Sequence, residues 1–226
     1  MTEPVYALVP MKRHSQRVPG KNLRMFAGKP LFFHILSTLL NSKYITGVYV
    51  DTDSQEIAHL VTSLFKTVEI VWRPKELVGD FVSMNRIIEY DLSQIGGEHF
   101  LQTHATNPLL AGISIETAIE QYFANLNRHD SLFSVNELHS RLYDNQLQAI
   151  NHNPAKLERT QDLPPVYEEN SNFYIFSRTS FSASGARIGS TPGIFITDRL
   201  ESMDIDTETD FILAENMKKH SDAHNS

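Results

Sequence analysis

The chain has 226 residues, of which 41% are hydrophobic and 21% are charged, as in ordinary soluble globular proteins. This length suits a single domain spanning residues 1–226, and no apolar run approaches the roughly 20 residues of a membrane helix. The formal net charge of −7 argues against a general nucleic-acid-binding protein, because such proteins usually carry a basic face.

The absence of cysteine excludes disulfides and thiolate zinc sites. The first apolar run is very short and is followed by Lys12 and Arg13, which is not the pattern of a secretory signal. We therefore expect a cytoplasmic protein with neither a membrane nor a nucleic acid as partner.

The apolar run Val5–Val9 predicts a buried strand, and the segment after it is rich in cations. These cations are Lys12, Arg13, Arg17 and Lys21. Pro19 and Gly20 keep the segment from becoming a helix. Lysine and arginine supply charge, and backbone N–H groups outside regular structure supply directional donors, so the pattern suits a triphosphate. A solvated basic loop is the plainer interpretation.

Strand and helix patterns alternate along the following chain. Helices are predicted over about 30–40, 54–65, 82–95, 113–123 and 210–217, and strands over 47–50, 68–72, 99–103, 131–135 and 194–196. This alternation predicts a parallel sheet covered by helices on both faces. Ligands in such sheets bind beyond the carboxyl ends of the strands. The basic loop, the turn Asp51–Asp53 and Arg73 would share that edge.

The pattern changes between about residues 137 and 168. Hydrophobic periodicity weakens there, and Asn, His, Gln and Pro accumulate. We expect an excursion from the sheet, with a hairpin over 142–150. At the other end, residues 218–226 are polar and are expected to be frayed.

Asp204 and Asp206 alternate in an extended pattern, so both carboxylates point the same way. Such a pair suits Mg2+ bridging the oxygens of a triphosphate. Asp51 and Asp53 form a rival pair. Asp53 precedes a predicted helix and is more simply its N-cap, so the later pair is preferred.

The first loop resembles the signature of the acylneuraminate cytidylyltransferase family, a strand followed by Ala-Arg-x-x-Ser-Lys-x-x-Pro-x-Lys-Asn. Its matching residues are Ser15, Pro19, Lys21 and Asn22. Lys12 stands where the family usually has Arg, and Gln16 stands where it has Lys. Further matches follow in the family's order at Arg73-Pro74, Asn170 to Tyr174, and the Asp-Ile-Asp-Thr of Asp204 to Thr207.

The resemblance implies a Rossmann-like three-layer α/β/α fold of the nucleotide-diphospho-sugar transferase type, with a mainly parallel central sheet. It implies a homodimer whose contact is the excursion at about 137–168. The implied reaction uses CTP and Mg2+ to convert a nonulosonic, sialic-acid-like 2-keto sugar acid into a CMP-sugar and pyrophosphate. Such CMP-sugars are precursors of cell-surface polysaccharide.

The same resemblance assigns roles to individual residues. The nucleotide-binding residues would be Lys12, Ser15, Arg17, Lys21, Asn22, Arg73, Asp80 and Ser83. The sugar acid would be bound by His104, Arg159, Asn170 and Tyr174, with Gln102 in place of His104 if the loop is shifted. Lys21, Asp204 and Asp206 would be catalytic, the two aspartates as metal ligands. Plainer interpretations remain for several of them: helix capping for Asp80 or Ser83, an exposed loop residue for Arg159, and a core ring for Tyr174.

Two alternative functions stay open. One is a nucleotidyltransferase for another sugar, either 3-deoxy-octulosonate or a sugar 1-phosphate. The other is a non-catalytic nucleotide-sensing protein on the same fold. The sequence contains no GxGxxG, GxxxxGK[ST] or GxSxG motif and no zinc-ligand spacing, which disfavours dehydrogenases, P-loop proteins, hydrolases and deaminases.

Overall fold

A seven-stranded sheet is the framework of residues 3–13 and 18–224, which are the residues that the computed structural model describes. The strands in chain order are β1 (Val5–Leu8), β2 (Met25–Phe26), β3 (Lys29–Pro30), β4 (Ile45–Thr52), β5 (Val68–Trp72), β6 (His99–Thr103), β7 (Ser131–Leu138), β8 (Val166–Ser177) and β9 (Pro192–Ile196). The helices are α1 (Leu31–Leu40), α2 (Gln55–Leu64), α3 (Met84–Gln94), α4 (Gly112–Ala124), α5 (Arg178–Ser184) and α6 (Glu208–His224).

The strand order of the described sheet is β5-β4-β1-β6-β8-β7-β9. The first four of these strands are mutually parallel, and β9 is parallel to β7. Only β8 runs against its neighbours β6 and β7, while β2 and β3 pair separately. The predicted mainly parallel sheet is therefore confirmed, and β1 lies inside it with the basic loop at its carboxyl end.

Alternate residues of β1 face opposite layers of the molecule. Val5 and Ala7 pack in a core cluster with residues of α1, α2 and α4. Leu8 belongs to a second cluster that includes residues of α3 and α5. A strand buried on both faces must be apolar throughout, which explains the continuous apolar run in the sequence.

The helix after β4 is capped by a different residue from the one predicted. Ser54 Oγ accepts a hydrogen bond from the Ile57 backbone N–H at 3.3 Å and is the N-cap of α2. Asp53 Oδ1 instead accepts a bond from the backbone N–H of Arg13 at 2.7 Å. The prediction of Asp53 as the N-cap is wrong, because its carboxylate fastens the loop after β1.

The prediction that residues 218–226 are frayed is also wrong for the first part of this segment, because α6 continues to His224. Ion pairs one turn apart support this extension, with Lys218 Nζ 2.8 Å from Asp222 and Lys219 Nζ 3.1 Å from Glu215. Earlier in the helix, Phe211 and Ala214 are buried against Phe26 and anchor α6 to the domain.

The excursion lies between β7 and β8, over residues 139–165. The hairpin predicted there reduces to a bridge between Tyr143 and Ala149, supported by a 2.9 Å bond from Ile150 N to Leu142 O. The segment's role in dimerisation stays a prediction. Across residues 3–13 and 18–224, no helix has both the length and the apolar character that a membrane crossing requires.

Candidate active site

A cavity of about 430 Å³ lies at the edge of the sheet where β1, β5 and β6 end. This is the edge at which ligands bind in open α/β sheets. The cavity brings together seven residues singled out from the sequence: Lys12, Lys21, Asn22, Arg73, His104, Asp204 and Asp206. They come from chain segments far apart in sequence, so the fold gathers the predicted site.

The loop after β1 is tied to the loop after β5. Lys12 Nζ lies 2.6 Å from Asp80 Oδ1, with both side chains partly exposed. Asn22 Nδ2 donates to the carbonyl of Lys12 at 3.3 Å and braces the far side of the loop. Ser15 and Arg17, which were also expected to bind nucleotide, lie outside the described residues.

Lys21 connects this loop to the acidic segment before α6. Its Nζ donates to the carbonyl of Ile205 at 2.5 Å and lies 3.7 Å from Asp206 Oδ1. Ile205 is buried, and its N–H donates to Thr106 O at 3.2 Å, which fixes the segment against the loop after β6. Residues 203–206 form no regular strand, yet Asp204 and Asp206 still line the cavity on either side of buried Ile205.

The start of α6 holds the acidic segment in place. Asp210 Oδ2 accepts hydrogen bonds from the backbone N–H of Asp206 at 3.2 Å and from that of Thr207 at 2.7 Å. Thr207 Oγ1 accepts from Asp210 N at 3.2 Å in return. This reciprocal arrangement resembles a capping box, so the residues after the Asp-Ile-Asp sequence fix its geometry.

The donor set at Asp204 and Asp206 suits magnesium. Asp204 Oδ1 is buried and has no hydrogen-bond partner among the described residues. No group of three or more His, Cys, Asp or Glu side chains able to hold a metal occurs in the described ranges. Magnesium is usually bound by one or two carboxylates, with phosphate oxygens and water completing the coordination. A carboxylate pair that lines a cavity together with Lys12 and Lys21 therefore fits this ion.

Arg73 lines the cavity and contacts a buried pair of aspartates, Asp51 and Asp91. Its Nε donates to Asp51 Oδ1 at 2.5 Å, and both side chains are almost completely buried. Asp91 of α3 is hydrogen-bonded to Asp51 and equally buried. Asp51 Oδ2 and both Asp91 oxygens have no N–H or hydroxyl donor within the described chain, so the bond between the two carboxyls requires a proton.

The pKa of Asp91 is raised to about 9, by burial first and then by the neighbouring Asp51 carboxylate. Burial also raises the pKa of Asp51, against the opposing effect of Arg73. Asp91 is therefore protonated at neutral pH, and the pair balances the single charge of Arg73. Sequence reasoning missed Asp91, although an aspartate on the apolar face of α3, one turn from Ile87 and Ile88, was a visible signal.

His104 lines the cavity, whereas Gln102 is fully buried behind it. Gln102 Nε2 donates to Thr103 O at 2.9 Å and lies 3.3 Å from His104 Nε2. The histidine nitrogen is thus the acceptor, and the proton is assigned to Nδ1. Burial, with the nearby cations Arg187 and Lys21, lowers the pKa of His104 to about 3, so the ring is neutral at physiological pH.

The remaining predicted residues lie outside the cavity lining. Ser83 is the N-cap residue of α3 without a side-chain capping bond, and it lines a neighbouring depression. Arg159 is exposed on the excursion and forms two hydrogen bonds with Asp162, at 2.7 and 3.0 Å. Their contacts with a ligand stay predictions.

Asn170 and Tyr174 support the site from within β8. Asn170 Nδ2 donates to Asn136 at 3.0 Å and to Thr197 at 2.7 Å, so it joins neighbouring strands. Tyr174 is fully buried, and its hydroxyl donates to Glu169. Between them, Ser171 lines the cavity at φ +58°, a conformation that favours glycine. Their direct contact with a sugar likewise stays a prediction.

Comparison with known proteins decides the family. Residues 6–222 match the family model described as cytidylyltransferase. The chain belongs to the cytidylyltransferase family. The resemblance predicted from the first loop and the Asp-Ile-Asp-Thr segment is thereby confirmed.

Relatives of this cytidylyltransferase chain carry the names of CMP-sugar-forming enzymes. It is 25% identical over 218 residues to N-acylneuraminate cytidylyltransferase of Streptococcus agalactiae, a match over 91% of this chain and 51% of the relative. The chain thus spans about half the length of that relative. It is 25% identical to pseudaminic acid cytidylyltransferase of Campylobacter jejuni, covering 94% of this chain and 95% of the relative. The CMP-N,N′-diacetyllegionaminic acid synthase of Legionella pneumophila is 26% identical, with the same coverage.

Solved structures confirm the fold. A CMP-2-keto-3-deoxy-manno-octonic acid synthetase complexed with CTP matches with a TM-score of 0.71 and 12% identity, covering 96% of this chain and 99% of that one. A 4-diphosphocytidyl-2C-methyl-D-erythritol synthase from Anaerococcus prevotii matches with a TM-score of 0.67 and 11% identity, covering 96% of each chain. At these identities the likeness concerns the Rossmann-like sheet and its helices.

Proposed function

We propose that the chain transfers a cytidylyl group from CTP to a nonulosonic 2-keto sugar acid, releasing pyrophosphate. The observation that carries this proposal is the placement of Lys21, Asp204 and Asp206 in one cavity at the carboxyl edge of the sheet. The family and the names of relatives of matching length support the substrate class.

In the proposed reaction, the anomeric hydroxyl of the sugar acid attacks the α-phosphorus of CTP. A new P–O bond forms, the bond to the β-phosphoryl oxygen breaks, and pyrophosphate leaves. The hydroxyl proton passes to solvent water. Catalysis of this kind consists mainly of positioning the reactants and neutralising charge. Lys12 and Lys21, on the loop after β1, would bind the triphosphate, because among the described residues they are the cations that line the cavity on that side.

Asp204 and Asp206 would hold Mg2+, which neutralises developing charge on the triphosphate. Lys21 orients this segment through its bond to Ile205 O and its proximity to Asp206. The charge of Arg73 is already balanced by the singly protonated Asp51–Asp91 pair. Arg73 would therefore form a fixed part of the cavity wall beside the cytidine.

We further propose a cytoplasmic homodimer formed through residues 139–165, which makes CMP-sugars for cell-surface polysaccharide. The excursion exposes apolar side chains, among them Leu147 at 80% and Leu157 at 90% exposure. Covering such residues is favourable, and the exposed side chain of Arg159 lies on the same segment.

The reaction class is tested by measuring pyrophosphate release with Mg2+ and CTP, with ATP, GTP and UTP as controls. The acceptors are N-acetylneuraminic, pseudaminic and N,N′-diacetyllegionaminic acids, with 3-deoxy-octulosonate as a comparison. We expect release with CTP and one nonulosonic acid. Release only with 3-deoxy-octulosonate, or with another nucleotide, would contradict the proposal.

The metal ligands are tested with Asp204→Asn and Asp206→Asn. Loss of several kcal/mol of charge stabilisation corresponds to a fall in kcat of about a hundredfold or more. Asp198→Asn is the matched control, since Asp198 is exposed in a nearby loop. Retained turnover in both aspartate variants, with folding intact by circular dichroism, would show that the metal assignment is wrong.

A further inference from the structure

Arg187 is a cavity residue that no sequence motif singled out. It follows α5, and its side chain is held by two other elements. Its NH1 donates to Gln102 Oε1 of β6 at 2.5 Å. Its guanidinium carbon lies 3.6 Å from the centre of the Tyr174 ring of β8, and its backbone N–H donates to Asn85 of α3 at 3.3 Å. The side chain is thereby fixed before any ligand binds.

The partners of Arg187 are neutral, unlike those of the other cavity cations. Lys12 lies beside Asp80, Lys21 beside Asp206, and Arg73 beside Asp51. Within residues 3–13 and 18–224, the side-chain partners of Arg187 are an amide and an aromatic ring, and no carboxylate lies within ion-pair distance. A partly buried guanidinium in this position loses hydration without gaining a counter-charge.

The pKa of Arg187 agrees with a partly buried cation that has no anionic partner within ion-pair distance in the described chain. Burial lowers the pKa of Arg187 below its ordinary value, and the charges of Tyr174 and Glu169 act in the opposite direction. An anionic ligand would supply the missing partner. Stacking on Tyr174 and the bond to Gln102 restrict the planar donor fork, and a pre-organised fork suits bidentate recognition of a carboxylate.

We propose that Arg187 binds the carboxylate of the sugar acid and so selects acidic acceptors. This assignment rests on the proposed function. Arg187 approaches the cavity from the β6–β8 side, next to His104, whereas the lysines proposed for the triphosphate follow β1. The carboxylate is the one anionic group of such an acceptor, because its other substituents are hydroxyl and acylamino groups.

Arg159, which the resemblance suggests as a ligand of the sugar acid, is less suited to binding its carboxylate within one chain. Its guanidinium forms two hydrogen bonds with Asp162, and its side chain is 73% exposed. Arg187 lines the cavity and has no such competitor in the described part of the chain. The same network links it through Gln102 to His104, so one buried amide positions two groups at the acceptor end.

The test compares Arg187→Met and Arg187→Lys with the wild-type protein. Arg128→Met, which changes an exposed arginine, is the control for lost charge. The acceptors are whichever acid of the panel the wild type uses fastest and the C1 carboxamide of that acid. Loss of a charge-assisted bidentate contact predicts a KM for the acid raised about tenfold to a hundredfold in Arg187→Met, with the KM for CTP changed by less than about threefold.

The carboxamide separates recognition from a general structural effect. The wild type should prefer the acid strongly, and Arg187→Met should lose most of that preference, with Arg187→Lys in between. An unchanged KM for the acid, a rise confined to CTP, or equal losses with acid and carboxamide would each overturn the assignment. Absence of turnover in the wild type with every acid would instead refute the proposed function, and the assignment with it.

Discussion

The shared proton between Asp51 and Asp91 is tested by replacing Asp91 with Asn. The amide has nearly the shape of a protonated carboxyl group and can donate a hydrogen bond to the Asp51 carboxylate without titrating. In the wild type, Asp91 is 1% exposed and its pKa is raised to about 9 by burial and by the Asp51 carboxylate. The wild type and Asp91→Asn therefore differ chiefly in that the wild type must bind a proton at residue 91 when it folds at neutral pH.

The sign and size of the effect follow from proton linkage. An unfolded aspartate loses its proton near pH 3.9, about the ordinary value, whereas folded Asp91 keeps it to about pH 9. Between these limits the folded state holds one more proton, so wild-type stability falls by about 1.4 kcal/mol per pH unit from this group. From about pH 6 to about pH 8, the stability of Asp91→Asn relative to wild type should rise by about 2.7 kcal/mol.

Urea unfolding followed by circular dichroism, at several pH values, measures this difference. Asp198→Asn is the control, because it makes the same change of aspartate to asparagine at an exposed position. A flat difference for Asp91→Asn would show that Asp91 is ionised in the folded protein. The description of Arg73 as balanced by one shared negative charge would then be wrong.

Further predictions concern the cavity and its support. Lys21→Met should lower kcat by about a hundredfold while thermal unfolding stays near that of wild type, and a fall of less than about threefold would contradict its role. Thr207→Ala should lower the free energy of unfolding by about 1 kcal/mol in urea titrations, more than the exposed control Thr209→Ala. His104→Gln should keep the shape of the pH profile of kcat/KM between about pH 5.5 and pH 8, because neutral His104 has a pKa of about 3. A change of wild-type kcat/KM with pH in that range that is absent from the variant would contradict the neutral state of His104.

Part of the fold is visible in the sequence because central strands such as β1 and β6 are buried on both faces. The apolar run of β1 and the strands β5 and β6 were predicted with bounds within a residue of those observed. The rule that ligands bind at the carboxyl edge of a parallel sheet predicted that the basic loop, the turn Asp51–Asp53 and Arg73 share one edge, and Lys12, Lys21 and Arg73 do line one cavity there.

Other features depend on partners distant in sequence. Asp91 appears locally as a polar interruption of an apolar helix face, and its meaning comes from Asp51, 40 positions earlier in the sequence. Arg187 follows a seven-residue helix that was not predicted, and its role depends on Gln102 and Tyr174. The extended α6 shows the same limit, because its start is anchored by the burial of Phe211 against Phe26 and its polar end is held by ion pairs.

The central claim is that the acceptor oxygen becomes bonded to the α-phosphorus of CTP. Phosphorus NMR of a reaction containing CTP, Mg2+ and the preferred sugar acid follows this bond directly. We predict equal growth of one phosphodiester resonance, from the CMP-sugar, and of pyrophosphate, as CTP disappears. The appearance of CDP with inorganic phosphate, or of CMP without a phosphodiester, would contradict cytidylyl transfer.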